Sequence, residues 1–113
     1  MSNLTSGLAA FEAKNYLDAF KLLKPIAERG DAEAQCIVAN MYHLGLGLKR
    51  DVLEAVKWYK KSAEQGYGVA SNNLAGIFAL GDGSIVIDSI EAEKWYQQAR
   101  KQGFLHSPNQ SSS

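Results

Sequence analysis

Residues 54–67, EAVKWYKKSAEQGY, return 37 positions later as EAEKWYQQARKQGF, with Ala55, Trp58, Tyr59 and Gly66 reappearing as Ala92, Trp95, Tyr96 and Gly103. A more divergent copy, DAFKLLKPIAERGD at 18–31, lies 36 positions earlier. The preceding glycine pair repeats as well: MYHLGLG at 41–47 matches IFALGDG at 77–83, at a spacing of 36. The change from 36 to 37 places one extra residue in the loop before Asp88. Self-similarity at this period limits the chain to an array of stacked supersecondary units, none of which can bury its apolar face alone.

Each unit reads as two helices. Ala34, Val38, Met41 and Tyr42 fall at helical spacing in one copy, and Ala70, Leu74, Ile77 and Phe78 do so in the next. Gly45 and Gly81 follow as left-handed helix ends. The second helix of a unit opens on Asp51 with Glu54 three residues later, and again on Asp88 with Glu91, an N-terminal capping box; Asn15 and Asp18 form a weaker version. Along that helix Val52, Ala55, Val56, Tyr59 and Ala63 make an apolar stripe opposite Lys57, Lys60, Lys61 and Glu64. Gly30, Gly66 and Gly103 close the three copies.

The same periodicity disposes of a nucleotide reading of YHLGLGLKRD at 42–51. A dinucleotide loop needs a preceding strand and a third glycine three residues after the second. The positions concerned are Arg50 and Val86, and the segment before the glycines is helical in pattern. Twelve basic residues balance twelve acidic ones, so the chain lacks the electropositive footprint of a nucleic-acid binder. Cys36 is the only cysteine, which rules out an intrachain disulfide and a cysteine-only metal site. No apolar run approaches the roughly 18 residues of a membrane span, so membrane insertion is not expected. The N-terminus lacks a secretory pattern, and the chain as given reads as cytoplasmic, or periplasmic if a signal has been removed.

Helix pairs of this period, with small residues at helix crossings and aromatic residues at fixed offsets, belong to tetratricopeptide-type solenoids. Tyr42, Gly45, Gly47, Asp51, Ala55, Trp58, Tyr59, Ala63 and Gly66 resemble one branch in particular, the Sel-one-like repeat family. The chain departs from that pattern at Val38 and Ala39, where Leu-Gly is usual, and in the loop holding Val86 and Ile87. The resemblance implies an all-α, right-handed α-solenoid of about three antiparallel helix pairs. Repeats are expected at about 4–30, 31–66 and 67–103 within a domain of residues 1–106, followed by a polar disordered tail at 107–113. It also implies a cofactor-free, non-enzymatic adaptor that binds a protein or peptide in its concave groove. Cysteine-rich relatives of the family have been linked to β-lactam binding or slow hydrolysis, so a binder of small molecules or cell-wall fragments with weak hydrolase activity is the alternative. A single cysteine removes the disulfide framework of those relatives.

The family's geometry places the first helix of each unit along the groove. The candidate binding residues are therefore Leu8, Phe11 and Glu12 in the first unit, Glu33, Cys36, Asn40, His43 and Leu44 in the second, and Val69, Asn72, Gly76, Ala79 and Leu80 in the third. Asn40, His43 and Asn72 can hydrogen-bond a peptide backbone, while Phe11, Leu44 and Leu80 offer apolar contact. Trp58 and Trp95 recur at one repeat position and read as packing residues rather than stacking platforms. His43 has no convincing nucleophile beside it, and Cys36 lies seven residues away, about 10 Å along a helix, too far to share a metal ion.

The ends of an array must differ from its middle. Phe20, Val56 and Glu93 are equivalent, as are Ala27, Ala63 and Arg100, and both positions become charged only in the last copy. The final helix is accordingly expected to cap the stack, with Phe104 and Leu105 folding back over it. At the other end Leu4, Leu8 and Phe11 have no preceding partner, which leaves apolar surface for a weak homodimer through the first helix.

Overall fold

The computed structural model describes residues 2–103. Over them the chain forms α1 (Asn3–Glu12), α2 (Tyr16–Glu28), α3 (Ala32–Leu44), α4 (Val52–Glu64), α5 (Gly68–Leu80) and α6 (Ser89–Lys101). Among the described residues the only strand-like pairing is an isolated bridge between Asp82 and Ile85. Each helix packs on its neighbours in the chain, giving three successive helix pairs in an all-α repeat fold. Phe104, Leu105 and the tail at 107–113 lie outside the described residues.

Capping aspartates set the helix starts. Oδ1 of Asp31, Asp51 and Asp88 accepts from the backbone N–H of Ala34, Glu54 and Glu91 at 2.8, 3.1 and 3.0 Å, each contact stabilising by about 1 kcal/mol. The reciprocal half of the expected capping box is absent. The backbone N–H groups of Asp51 and Asp88 instead donate to the carbonyls of Tyr42 and Phe78, both at 2.8 Å, tying each second helix to the one before it. Their glutamates are used otherwise: Glu54 pairs with Lys57 at 3.2 Å, and Glu91 accepts from Trp95 Nε1 at 3.1 Å. Asn15 makes no side-chain cap.

The helix ends differ between copies. Gly45 adopts the left-handed conformation at φ 69°, ψ 46°. Gly81 has a positive φ of 72° but an extended ψ of 157°, so the left-handed expectation fails there. The chain passes at once into a tight turn in which Asp82 and Ile85 exchange backbone hydrogen bonds at 2.9 and 2.8 Å. The extra residue of this loop provides the length for that turn.

Small residues bring the helices together. Ala19, Ala55 and Ala92 occupy one repeat position and are buried, as are Ala34 and Ala70 at another and Ala39 and Ala75 at a third. The first loop (13–15) is four residues shorter than the second (45–51). That offset makes Gly7 the counterpart of Ala39, and a Cβ at Gly7 would come within 2.5 Å of Leu23 Cδ2. Larger side chains fill the remaining core, chiefly Leu23, Met41, Leu74, Val38 and Tyr59. Trp58 and Trp95 are buried in the packing role read from their recurrence.

Polar ties join the units. Gln65 Nε2 donates to the Gly30 carbonyl and to Gln35 Oε1, at 2.7 and 2.9 Å, while Gln35 Nε2 donates to the Ala27 carbonyl at 3.1 Å. One unit later Ser71 Oγ donates to Gln102 Oε1 at 2.8 Å, and Gln102 Nε2 reaches the Ala63 carbonyl at 3.3 Å. Val56 and Ala63 of α4 are buried, whereas at the C-terminal face their counterparts in α6, Glu93 and Arg100, pair with each other at 3.2 Å. At the N-terminal face Leu4, Leu8 and Phe11 are half-buried against the core, and the Phe11 ring meets Tyr16 edge-on at 5.6 Å. The apolar surface expected there is reduced to their outer edges.

Gly47 and Gly83 share a repeat position, both with positive φ, but differ in surroundings. A Cβ on Gly47 would lie 2.6 Å from Tyr16 Cβ, whereas one on Gly83 would meet nothing within 4 Å. Gly47→Ala is expected to destabilise the fold by about 2–4 kcal/mol, combining backbone strain with overpacking. Gly83→Ala should cost about 1 kcal/mol. Urea denaturation of the two variants checks the contrast, and equal losses would disprove the close approach of this loop to α2.

Candidate functional site

Between the first helices of the second and third units lies a hollow of about 400 Å³. Helical spacing puts Asn40, His43 and Leu44 of α3 on one wall, and Asn72, Asn73, Gly76, Ile77 and Leu80 of α5 on the other. Tyr59 and Tyr96 come from α4 and α6, and Gly81 and Asp82 from the loop after α5. Gly76 contributes width, since a Cβ added there would meet nothing within 4 Å.

Three carboxamides and a phenol form the floor. The Tyr59 hydroxyl donates to Asn40 Oδ1, and Asn73 Nδ2 approaches the same oxygen at 3.5 Å, a long and weak contact. Tyr59 is buried, and desolvation pushes its phenol above the ordinary tyrosine range, so it remains a neutral donor. Asn72 Oδ1 is shielded from solvent and has no hydrogen-bond partner. An unmet buried acceptor costs roughly 1–3 kcal/mol, which makes this atom the least satisfied point of the site.

The rim carries the charge. Asp82 accepts from Arg50 Nη2, and its other oxygen lies 3.2 Å from His43 Nε2. Arg50 Nε also donates to the His43 carbonyl at 2.8 Å. The Arg50 guanidinium, followed by His43, holds the Asp82 carboxyl below the usual aspartate value of 3.8. The cluster joins the loops of the second and third units and sets His43 at the mouth, where its ring meets Tyr59 edge-on at 6.0 Å.

Six of the expected groove residues, Asn40, His43, Leu44, Asn72, Gly76 and Leu80, gather at this hollow. Cys36 requires a correction. It lies one turn before Asn40 yet is buried in the core, against which Tyr67 at the start of α5 also packs. Burial, followed by the nearby Glu33 carboxylate, raises the Tyr67 phenol. Glu33 is half-buried there, Val69 is exposed, and Ala79 is half-buried outside the lining. Leu8 and Phe11 pack against the core of the first unit and Glu12 is exposed, so none of the three reaches the hollow.

Tyr59, Asn73, Ile77, Asp82 and Tyr96 were not read from the sequence as site residues. The tyrosines recur with the tryptophans and read as core. Asp82 stands where the second unit has Leu46, and that exchange at a repeat position was the one available signal. Among the described residues no three His, Cys, Asp or Glu side chains cluster closely enough to hold a metal ion, and no helix is long and apolar enough to cross a membrane. Lys57 and Lys61, read as part of a solvated face, also lie over Trp58 together with Lys24 of α2: the ammonium groups of Lys24, Lys57 and Lys61 stand 5.8, 5.3 and 5.7 Å from its ring centroid.

The Sel1 repeat family matches this chain three times, over residues 7–31, 32–67 and 68–104. Chitin synthase regulatory factor 3 of Schizosaccharomyces pombe is 37% identical over 68 residues, 59% of this chain. A Sel1-like repeat-containing protein of Acanthamoeba polyphaga mimivirus is 40% identical over 43 residues, 38% of this chain. The matched segment spans only 7% of either relative's length. Among solved structures, a Sel1 repeat protein from Oxalobacter formigenes superposes with a TM-score of 0.82 at 33% identity, over 88% of this chain and 40% of its own. A protective antigen of uropathogenic Escherichia coli with an SLR fold gives 0.73 at 30% identity, over 76% of this chain and 18% of its own.

Two outcomes follow, one from the burial of Cys36 and one from the charges of the rim. Burial pushes the Cys36 thiol up to about 12, so alkylation at neutral pH is expected only after unfolding; rapid labelling of the native chain would contradict this burial. A carboxylate with a depressed folded pKa stabilises above its unfolded value and loses that contribution as pH falls through the folded value. The stability gap between the wild type and Asp82→Asn should therefore be constant near neutrality and close progressively below the ordinary aspartate value of 3.8. Denaturation midpoints between about pH 7 and pH 2 measure it, and a gap unchanged at low pH would refute the ion pair.

Proposed function

The chain belongs to the Sel1 repeat family, whose members are generally protein-interaction modules, and we propose that it holds an extended peptide segment of a protein partner between α3 and α5. The convergence of three carboxamides, from Asn40, Asn72 and Asn73, on one hollow is the observation that carries this reading. A carboxamide offers a donor and an acceptor side by side, as a peptide unit does. These groups surround one hollow, where a peptide unit can meet a donor and an acceptor together. Leu44, Ile77 and Leu80 supply an apolar contact for one peptide side chain.

Members of the family are typically non-catalytic scaffolds. The residues lining the hollow include neither serine nor cysteine, so His43 and Asp82 have no nucleophile of those kinds to activate there. Likeness to a regulatory factor accords with action through another protein rather than on a small substrate.

Screening arrays of extended peptides against the chain, and then against Asn72→Ala and Asn73→Ala, tests the reading. A selected peptide should lose about tenfold in affinity to either variant, the value of one buried hydrogen bond at about 1–1.5 kcal/mol. Helicity by circular dichroism should be unchanged. Undiminished binding to both variants would move the peptide site elsewhere.

A further inference from the structure

One corner of the hollow differs between two copies of the repeat. Asn40 of α3 and Gly76 of α5 share a repeat position, 36 residues apart, and Tyr59 of α4 and Tyr96 of α6 share another, 37 apart. In the second unit the two positions are joined, since the Tyr59 hydroxyl donates to Asn40 Oδ1. In the third unit glycine removes the acceptor. Helix α5 packs on α6 as α3 packs on α4, and Gly76 and Tyr96 both line the hollow. Among the described residues the Tyr96 hydroxyl makes no hydrogen bond.

Nothing in the fold requires glycine at 76. It lies inside α5 and is not among the glycines of positive φ, and a Cβ added there would meet nothing within 4 Å. Gly7, the other glycine inside a helix that packs on its neighbour, is the opposite case, because its Cβ would fall 2.5 Å from Leu23 Cδ2. An interior helical glycine is less favourable than alanine, so Gly76 weakens α5 without a packing gain. What it provides is access. The space that the Asn40 carboxamide fills beside Tyr59 is open beside Tyr96, flanked by Asn72 and Leu80 one turn away on either side. Partial burial raises the Tyr96 phenol, which keeps it a neutral donor.

We propose that Gly76 and Tyr96 form a subsite for a carboxamide of the bound segment, whose carbonyl oxygen takes the place that Asn40 Oδ1 holds in the second unit and accepts from the Tyr96 hydroxyl. The subsite rests on the peptide reading of the hollow and names the group that the peptide places there. That group is the side chain of an asparagine or glutamine, or a main-chain peptide unit, which carry the same acceptor.

Gly76→Ala, Gly76→Asn and Tyr96→Phe test the subsite in the full chain, with and without peptide. Without peptide, Gly76→Ala should raise the thermal midpoint by roughly 5 °C, as an interior helical position exchanges glycine for alanine. Gly76→Asn should stabilise more when Tyr96 is present than in the Tyr96→Phe background, because the introduced carboxamide meets the hydroxyl. A lowered midpoint for Gly76→Ala, or an asparagine effect independent of that hydroxyl, would overturn the subsite. With peptides selected from the extended arrays, Gly76→Asn and Tyr96→Phe should each weaken binding by about tenfold, the worth of one hydrogen bond. Replacing each asparagine and glutamine of those peptides by leucine separates the two sources. The Tyr96→Phe loss disappears on replacement if a side chain fills the subsite and persists if a main-chain unit does. Peptides weakened by Asn72→Ala or Asn73→Ala but indifferent to Gly76→Asn and Tyr96→Phe would refute the subsite and leave the peptide site standing. Indifference to all four variants would refute both.

Discussion

The structure depends on how closely adjacent helices approach. Ala19, Ala55 and Ala92 fall at one register, Gly7, Ala39 and Ala75 at another, and a methyl added at Gly7 would enter the volume of Leu23. Small side chains let helix backbones come near enough for the larger ones to interdigitate around them, at the density of a protein interior. Because the same spacing recurs in every unit, the stack can be extended by repetition. The repeat is thus first a steric rule, and the aromatic residues that make it conspicuous in the sequence fill the space that rule leaves.

Close approach leaves polar groups to be satisfied at each junction. The carbonyls of Ala27 and Ala63, in the last turns of α2 and α4, accept from the backbone N–H of Gly30 and Gly66 at 3.0 and 2.9 Å and keep a second lone pair to offer. Glutamine reaches them across the unit boundary, from Gln35 in one case and Gln102 in the other. The second member differs, Gln65 at the first junction and Ser71 at the second, so the task is conserved between junctions while the residue performing it changes. Such ties orient one helix pair on the next, which an apolar interface alone does not specify.

What was legible in the sequence follows from which forces are periodic. Helix starts at Asp51 and Asp88, closing glycines, and the charged face at Glu93 and Arg100 were all visible because they occur at fixed offsets within a unit. The return arm of the capping box was misread, because the N–H it would have satisfied is taken by Tyr42 or Phe78 of the previous helix, a contact that local sequence cannot encode. Cys36 shows the same limit. Periodicity puts it on the stripe with Asn40, but whether a stripe is open depends on what packs over it, and at Cys36 the stripe is buried in the core. Asp82 was overlooked because its meaning lies in Arg50, 32 residues earlier in a different unit.

The last loop shows how one irregularity in a repeat generates distinct surfaces. Its added residue forms the turn between Asp82 and Ile85, which directs the Asp82 carboxylate toward the second unit and closes the rim of the hollow through Arg50 and His43. The same turn sends Val86 and Ile87 outward, 79 and 63% exposed, beside Ile90. In the second unit the corresponding loop turns inward instead: Leu46 and Leu48 pack against the core and Gly47 rests on Tyr16. A loop inserted between helices whose packing is already fixed costs the stack little, since loop-closure entropy grows only slowly with length. Variation can therefore accumulate there without disturbing the alanine registers that hold the array together, and the rim of the hollow acquires Asp82 from that loop.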